Sequence, residues 1–302
     1  MTAFRHRGVL FAGALGLLLL SVAEAECVAA AIRASLLLSA HALIPALLPA
    51  LVLSGMLVRL APGVHLPFQG LFSRMFRLPP TALCPFLLGA LCGFPIGAAT
   101  AASLCQNGDL TQEEAARAAA ISANTGPAFC VAAVGVGMFH SARIGWWIYA
   151  LQMISALLAG FVTRGKAQKA RPTSQIVATA KFSLSDQLYH AALTLLSVTA
   201  TVCFFGAIRA LLSVWMPPCV ATVISVLLEV GGGCAAAAEL PLPLGLPLAA
   251  LSVSFSGVSV LLQSAAALKP SNIPIGPLVR QKILQALLSV LLLFLIPPFF
   301  LK

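Results

Sequence analysis

Apolar residues gather along this chain into long runs: Gly8 to Val22, then roughly 38–58, 84–105, 118–139, 144–163, 187–212, 218–238, 243–268 and 283–301. Each is near the ~20 residues that a helix needs to cross a bilayer. The pattern predicts an all-α, polytopic helical bundle in which 1–302 forms a single transmembrane domain and not every run crosses. Composition agrees: 60% of the 302 residues are hydrophobic and 9% charged, against about a quarter charged in an average soluble domain.

Charge sets orientation. There are 18 basic and 8 acidic residues, a formal excess of +10. In a membrane chain this reads as loops held in the cytoplasm, and no basic run interleaves with aromatics as a nucleic-acid groove requires. Basic residues concentrate in three connections: Arg59, Arg74 and Arg77; Arg164, Lys166, Lys169, Arg171 and Lys181; and Lys269, Arg280 and Lys282. The middle one, 164–185, is the clearest cytoplasmic segment and divides the chain into halves 1–163 and 186–302. Arg5-His6-Arg7, the following apolar run and Ala23-Glu24-Ala25 resemble a secretory signal with a cleavage site. An uncleaved first span, 8–24, is the preferred reading.

With residues 1–7 inside, spans 8–24 and 38–58 return the chain to the cytoplasm at Arg59–Arg77. A full crossing by 84–105 would then put the central basic loop outside. A re-entrant hairpin over 84–105 removes that conflict. Gly93-Phe94-Pro95-Ile96-Gly97 lies in the middle of the run, where Pro95 lacks a donor and the glycines permit unusual backbone angles. Such backbone is tolerated at membrane depth where it is buried in protein or lines a cavity. By itself the triplet fits a kinked full span equally well.

The next segment opens with Thr111 and Glu114 at capping-box spacing and carries a small-residue face, Ala115–Ala120. It then meets Asn124-Thr125-Gly126-Pro127, which stops or unwinds the helix. Asn124 as a simple cap is the alternative. Two interruptions in neighbouring segments favour a binding role, because transporters build substrate sites from the exposed ends of broken helices.

The second half shows a comparable layout. Glu229 sits in an apolar run directly before Gly231-Gly232-Gly233, and a carboxylate at membrane depth is paired, protonated or facing water. Ser256, Gly257 and Ser259 interrupt the run 243–268, with Gln263 one turn beyond on the same face. This predicts a second re-entrant hairpin over about 243–268, and Ala90-Leu91 to Gly97 matches Ala250-Leu251 to Gly257 in spacing. The expected substrate-binding set is Gly93, Phe94, Pro95, Gly97, Asn124, Thr125, Gly126, Pro127, Ser256, Gly257, Ser259 and Gln263, with Glu229 as the coupling or gating carboxylate.

The motifs "GFPIGA", "SANTGPAF", "LLEVGGG", "FSGVSVLLQ" and "VRQKILQALL", in this order, resemble those of the sporulation integral membrane proteins of the YlbJ type, related to proteins with a nucleoside-transporter gate domain. The resemblance covers most of residues 27–300. It implies a bacterial inner (cytoplasmic) membrane location, specifically the outer forespore membrane, and movement of dipicolinate, a planar dicarboxylate, during endospore formation. It also implies paired re-entrant hairpins around a central site. The chain departs from the usual pattern in having Phe94 where Tyr often occurs and "SFSG" where a Gly-Gly pair is usual.

A dianion in low dielectric needs helix N-termini and free amides, which 97–99 and 257–259 could supply. No Ser-His-Asp grouping, hydrolase carboxylate pair or phosphate loop is present, so no catalytic residue is expected and the chain reads as no enzyme. The 8 cysteines lack C-x-x-C spacing, so neither a metal site nor a cofactor is expected. His41, His65, His140 and Arg33 flank loops or span ends. The expected partners are membrane lipid, a small-molecule solute and a coupling H+ or Na+, with no nucleic acid. A homo-oligomer is left open. A structural or assembly component of the sporulation membrane is the alternative to a secondary transporter of a small anionic or nucleoside-like solute.

Overall fold

Proline, glycine and isolated polar residues decide where this chain bends. A computed structural model describes residues 2–60, 66–165 and 183–296, and every regular element among them is helical. The first half contains α1 (Thr2–Ala23), α2 (Ala25–Leu38) and α3 (Ile44–Leu60), the last two joined by a π-helical turn at Ser39–Leu43. A short α4 (Gln69–Phe76), the pair α5 (Leu83–Cys92) and α6 (Ile96–Gln106), then α7 (Gln112–Ser122), a π-helical stretch Ala128–Met138 and α8 (Ala142–Val162) complete it. The second half contains α9 (Leu184–Trp215), the pair α10 (Pro218–Leu228) and α11 (Val230–Ala238), then α12 (Leu242–Phe255), α13 (Gly257–Leu268) and α14 (Gly276–Leu295). Both halves therefore run in the order long helix, close pair, broken helix, span.

By length and composition Ala142–Val162, Leu184–Trp215, Leu242–Ser271 and Gly276–Leu295 can cross a membrane; counting two bent pairs as spans raises the number from 4 to 6. The chain is a multi-pass integral membrane protein. Leu188, Leu193, Leu196 and Phe204 of α9 point outward, which lipid tails accept without cost because they are as apolar as leucine.

α5 and α6 fold back on each other around Gly93-Phe94-Pro95. A methyl group at Gly89 would lie 3.3 Å from Gly97 Cα and would strike the Ser122 carbonyl. Only small residues allow this approach.

The return in the second half is not where the sequence pattern placed it. Residues 242–271 form one run without a bend above 40°, long enough to cross, so 243–268 is a broken span and not a hairpin. The close return lies at Glu229, between α10 and α11. A methyl at Gly233 would lie 2.7 Å from the Cα of Val226, an approach that a continuous helix cannot make between positions seven apart. Glu229 adopts an extended conformation (φ −152°, ψ 132°), which suffices to reverse the chain between two helices. The structural counterpart of 84–105 is thus 218–238, and the counterpart of 243–268 is 112–138.

The corrected path also agrees with the charge pattern. At one end of the bundle Phe72, Phe76, Leu104, Leu110, Leu268 and Ile273 share a core, and the Ser271 hydroxyl donates to the Ala102 carbonyl (3.4 Å). At the other end Val134, Ile144, Cys234, Ala237 and Leu246 share a second core. The α5–α6 pair therefore enters from the first end and the α10–α11 pair from the second. A crossing 242–271 delivers Lys269 and Arg280 to the end that also carries Arg77 and Arg164, as one cytoplasmic face requires. Lys166, Lys169, Arg171 and Lys181 of the central connection, and His65, lie outside the described residues.

The N-terminal reading also changes. Residues 25–37, expected as a connection between spans 8–24 and 38–58, are helical, and α2 and α3 both lie along α9. Phe11–Ala23 meets Ala25–His41 at 94°.

Candidate functional site

Each close pair rests its tip on the break of the helix that follows it. Thr111 caps α7, its hydroxyl accepting from Glu114 N–H while Glu114 Oε2 accepts from Thr111 N–H at 2.8 Å. The helix ends at Ser122, and Ala123 to Gly126 are non-helical before Pro127 (φ −62°, ψ −32°) re-enters helical geometry ahead of the π-helical stretch. Gly93, at φ 86°, stands so close that a methyl there would lie 2.9 Å from Gly126 N. Across the bundle Ser256 and Gly257 (φ 72° and 75°) divide α12 from α13, and a methyl on Gly257 would lie 2.9 Å from Leu228 O and Glu229 N. Backbone touches backbone at both places, which explains glycine at 93 and 257.

Between the two breaks lies a knot of buried polar side chains. Gln152 of α8 pairs with the backbone of Thr125, accepting from its N–H at 3.0 Å and donating to its carbonyl at 2.8 Å. Asn124 Nδ2 donates to Ile121 O (2.7 Å), closing the last turn of α7. Its Oδ1 accepts from Gln285 Nε2 (3.0 Å) and Lys282 Nζ (3.4 Å), both on α14. The Thr125 hydroxyl donates to Val253 O (3.2 Å) and Lys282 Nζ to Ser254 O (3.5 Å), so the first break is tied to the end of α12. Asn124 both caps its helix and joins the knot.

Lys282 dominates the electrostatics. It is fully buried, and its remaining acceptor is Gln285 Oε1 (3.0 Å), so every partner is uncharged. All 8 acidic residues of the chain lie among the described residues, and none pairs with it. Holding an ammonium at membrane depth without a counter-charge costs at least about 3 kcal/mol. Ser254 Oγ, on the residue whose carbonyl accepts from Lys282, is buried without a partner.

Glu229 belongs to a different place. Its Oε1 accepts from Gly231 N–H (2.8 Å) and its Oε2 from Gly232 N–H, so the carboxylate caps α11. It lines a cavity of about 100 Å³ with Ser35 of α2 and Arg209 of α9. A methyl on Gly232 would lie 3.0 Å from Arg209 Nε. Cap and cavity share one carboxylate, and no hydrogen bond joins it to the Lys282 knot among the described residues.

The expected residues therefore separate into groups. Asn124, Thr125, Gly126 and Pro127 meet Gly93 at the first break. Phe94 packs into the second core, Pro95 caps α6, and a methyl on Gly97 would meet Ser122 at 2.5 Å. Ser256 donates to Val253 O (3.1 Å) beside Gly257 at the second break. Ser259 and Gln263 lie further along α13, which packs on α6; Gln263 Oε1 has no partner. His41, His140, Arg33 and Glu239 are exposed.

Lys282, Gln285, Gln152 and Gln281 were missed as site residues, and Lys282 was misassigned to a loop. The apolar pattern starts this run at 283, whereas α14 starts at Gly276. The signal was present: Gln281, Gln285 and Ser289 recur every fourth position, with Lys282 beside them. On an otherwise apolar helix that spacing marks one inward face.

The chain is 28% identical over 127 residues to the sporulation integral membrane protein YlbJ of Bacillus subtilis (strain 168), a match covering 41% of this chain and 31% of that protein. The match spans less than two thirds of that relative. This weak likeness supports the YlbJ-type sporulation membrane proteins as the family that the motifs resemble. No family model matches the chain, and no solved structure does. None of these comparisons supports the relation to nucleoside-transporter gate-domain proteins.

Proposed function

We propose that this membrane protein is a secondary carrier of a small anionic solute, which binds between the two helix breaks with Lys282 as its counter-charge. Lys282 is the observation that carries the reading: a buried cation whose partners are all uncharged lies where two broken helices meet. An anion arriving there removes the cost of the isolated charge. The Asn124, Gln152 and Gln285 amides and the backbone of the two breaks would supply the directional contacts by exchanging their present partners for the solute. No covalent step is needed.

The sporulation resemblance makes dipicolinate the first solute to test and the outer forespore membrane the site of action. The two carboxylates of that planar dianion suit one cation and a ring of amide donors. On this reading Glu229, which lies beside Arg209 at the tip of the α10–α11 pair, couples H+ or Na+ to movement of that pair.

A non-transporting structural component is favoured by one observation: the polar groups at the first break largely satisfy one another, as a packing module would. Equilibrium binding of dipicolinate to the purified full chain separates the two readings. Micromolar to millimolar binding in wild type, lost in Lys282→Met, supports the carrier; no saturable binding to wild type supports the structural component.

A further inference from the structure

We propose that the bundle has a second anion site, at the end where α4, α7, α8 and α14 meet, which takes an anionic oxygen group, carboxylate or phosphate, between Arg117, Arg164 and Arg280. Arg117 is in the middle of α7 and only 8% exposed. Its Nη2 donates to Arg77 O (3.3 Å), but its Nε and Nη1 are buried with no acceptor. Two unpartnered donors on a buried guanidinium are costly, because each forfeits its water without gaining a bond. Arg117 lines a small space, about 10 Å³, together with Thr163, Arg164, Pro277 and Arg280, and its Nη1 and Nε edge lies beside Gly165, where a methyl would sit 2.8 Å from Nη1.

Among the described residues no acidic side chain supplies the missing charge. Glu114, one turn earlier on α7, spends its carboxylate on the Thr111 N–H and hydroxyl. Glu113 is exposed, and residues 165–185 contain no acidic residue. Arg77 donates to Gly165 O (3.5 Å), and Arg164 donates to Met75 O (3.5 Å) and stacks over the Phe161 ring, so among the described residues neither meets a carboxylate. The first turn of α14 arrives at the same point with no side-chain cap, adding the positive end of a 20-residue helix. Planar guanidinium forks with a free helix start suit the paired oxygens of a carboxylate or phosphate.

This site goes beyond the carrier reading, since anion binding here is expected whether or not the chain transports. Two sources share the chemistry: a free solute waiting at the cytoplasmic mouth, or the phosphate of an anionic lipid. The test uses the full chain in detergent with inorganic phosphate as the soluble probe, and chloride at equal ionic strength as control. In parallel, native mass spectrometry scores retention of phosphatidylglycerol against phosphatidylcholine. Arg117→Gln and Arg280→Gln are compared with wild type. Arg280 is exposed, so its variant stays informative if the buried substitution fails to fold.

The expected result is that one probe binds wild type at least about tenfold more tightly than either variant, the usual scale for a lost charge-assisted bond. A phosphate-specific rise in unfolding temperature that the variants lose assigns a free anion. Selective phosphatidylglycerol retention that the variants lose assigns a lipid headgroup. If Arg280→Gln matches wild type with both probes, the proposal is overturned and the space holds water.

Discussion

Lys282 sets the sharpest contrast between a stabilising and a functional residue. A buried ammonium without a counter-charge opposes folding, and its replacement by an apolar side chain of similar volume is often neutral or stabilising. Lys282→Met is therefore expected to unfold at the same temperature as wild type or higher, while losing anion binding. A large drop in thermal stability would show instead that the amine is a structural tie. Asn124 Oδ1 accepts from both Lys282 and Gln285, so Asn124→Ala leaves two buried donors short of an acceptor. About 1–3 kcal/mol of stability or binding is the expected loss, measurable by calorimetry. Glu229→Gln keeps only one of two cap bonds, because an amide nitrogen cannot accept from Gly232 N–H. A loss of about 1 kcal/mol is expected from the cap alone, so transport by that variant must be compared at matched folded fraction. Sequence reasoning singles out Asn124 and Glu229 because polar residues beside glycine or proline in apolar runs stand out. It passed over Gln152 and Lys282: one lies in an uninterrupted run, and the other was counted as a loop charge.

At the scale of elements, the glycines test whether the tips must touch the breaks. Gly93 and Gly108 both have positive φ, 86° and 83°, yet a methyl at 108 meets nothing within 4 Å whereas one at 93 lies 2.9 Å from Gly126 N. Gly108→Ala is expected to cost about 1–2 kcal/mol from backbone strain. Gly93→Ala adds the displacement of Gly126, and its drop in unfolding temperature is expected to be clearly larger; equal drops would mean the tip is loosely held. The return over 84–105 was legible because the charge count called for one and Gly93 and Pro95 sit at the turn itself. The second return was misplaced because its turn residue is Glu229, while its glycines lie on the returning leg, where Gly233 admits Val226. Ser256 and Gly257 mark a break of backbone that keeps its direction. Composition alone cannot separate a break from a reversal: both need residues that tolerate φ above zero or close packing.

For the whole molecule, the opposed entry of the two pairs predicts which connections share a face. Cysteines placed singly at Asn107, Lys269 and Glu239, all exposed positions, in a background freed of native cysteines, report this in oriented vesicles. Positions 107 and 269 are expected to react with an impermeant reagent from one side and 239 from the other. Class and multi-pass character were legible from the apolar runs, and the charge rule located the basic end. The assignment of crossings failed at two runs, which exchange roles: 218–238 returns and 243–268 crosses.

The central claim is that an anion crosses by way of Lys282. Its most direct test is uptake of labelled dipicolinate into proteoliposomes under an imposed pH or Na+ gradient, comparing wild type with Lys282→Met at equal reconstituted amounts. Wild type should accumulate the label in a saturable manner, and the methionine variant should fall to the level of empty vesicles. Wild-type uptake by Lys282→Met would remove the lysine from the path, and wild-type vesicles no better than empty ones would contradict the carrier itself.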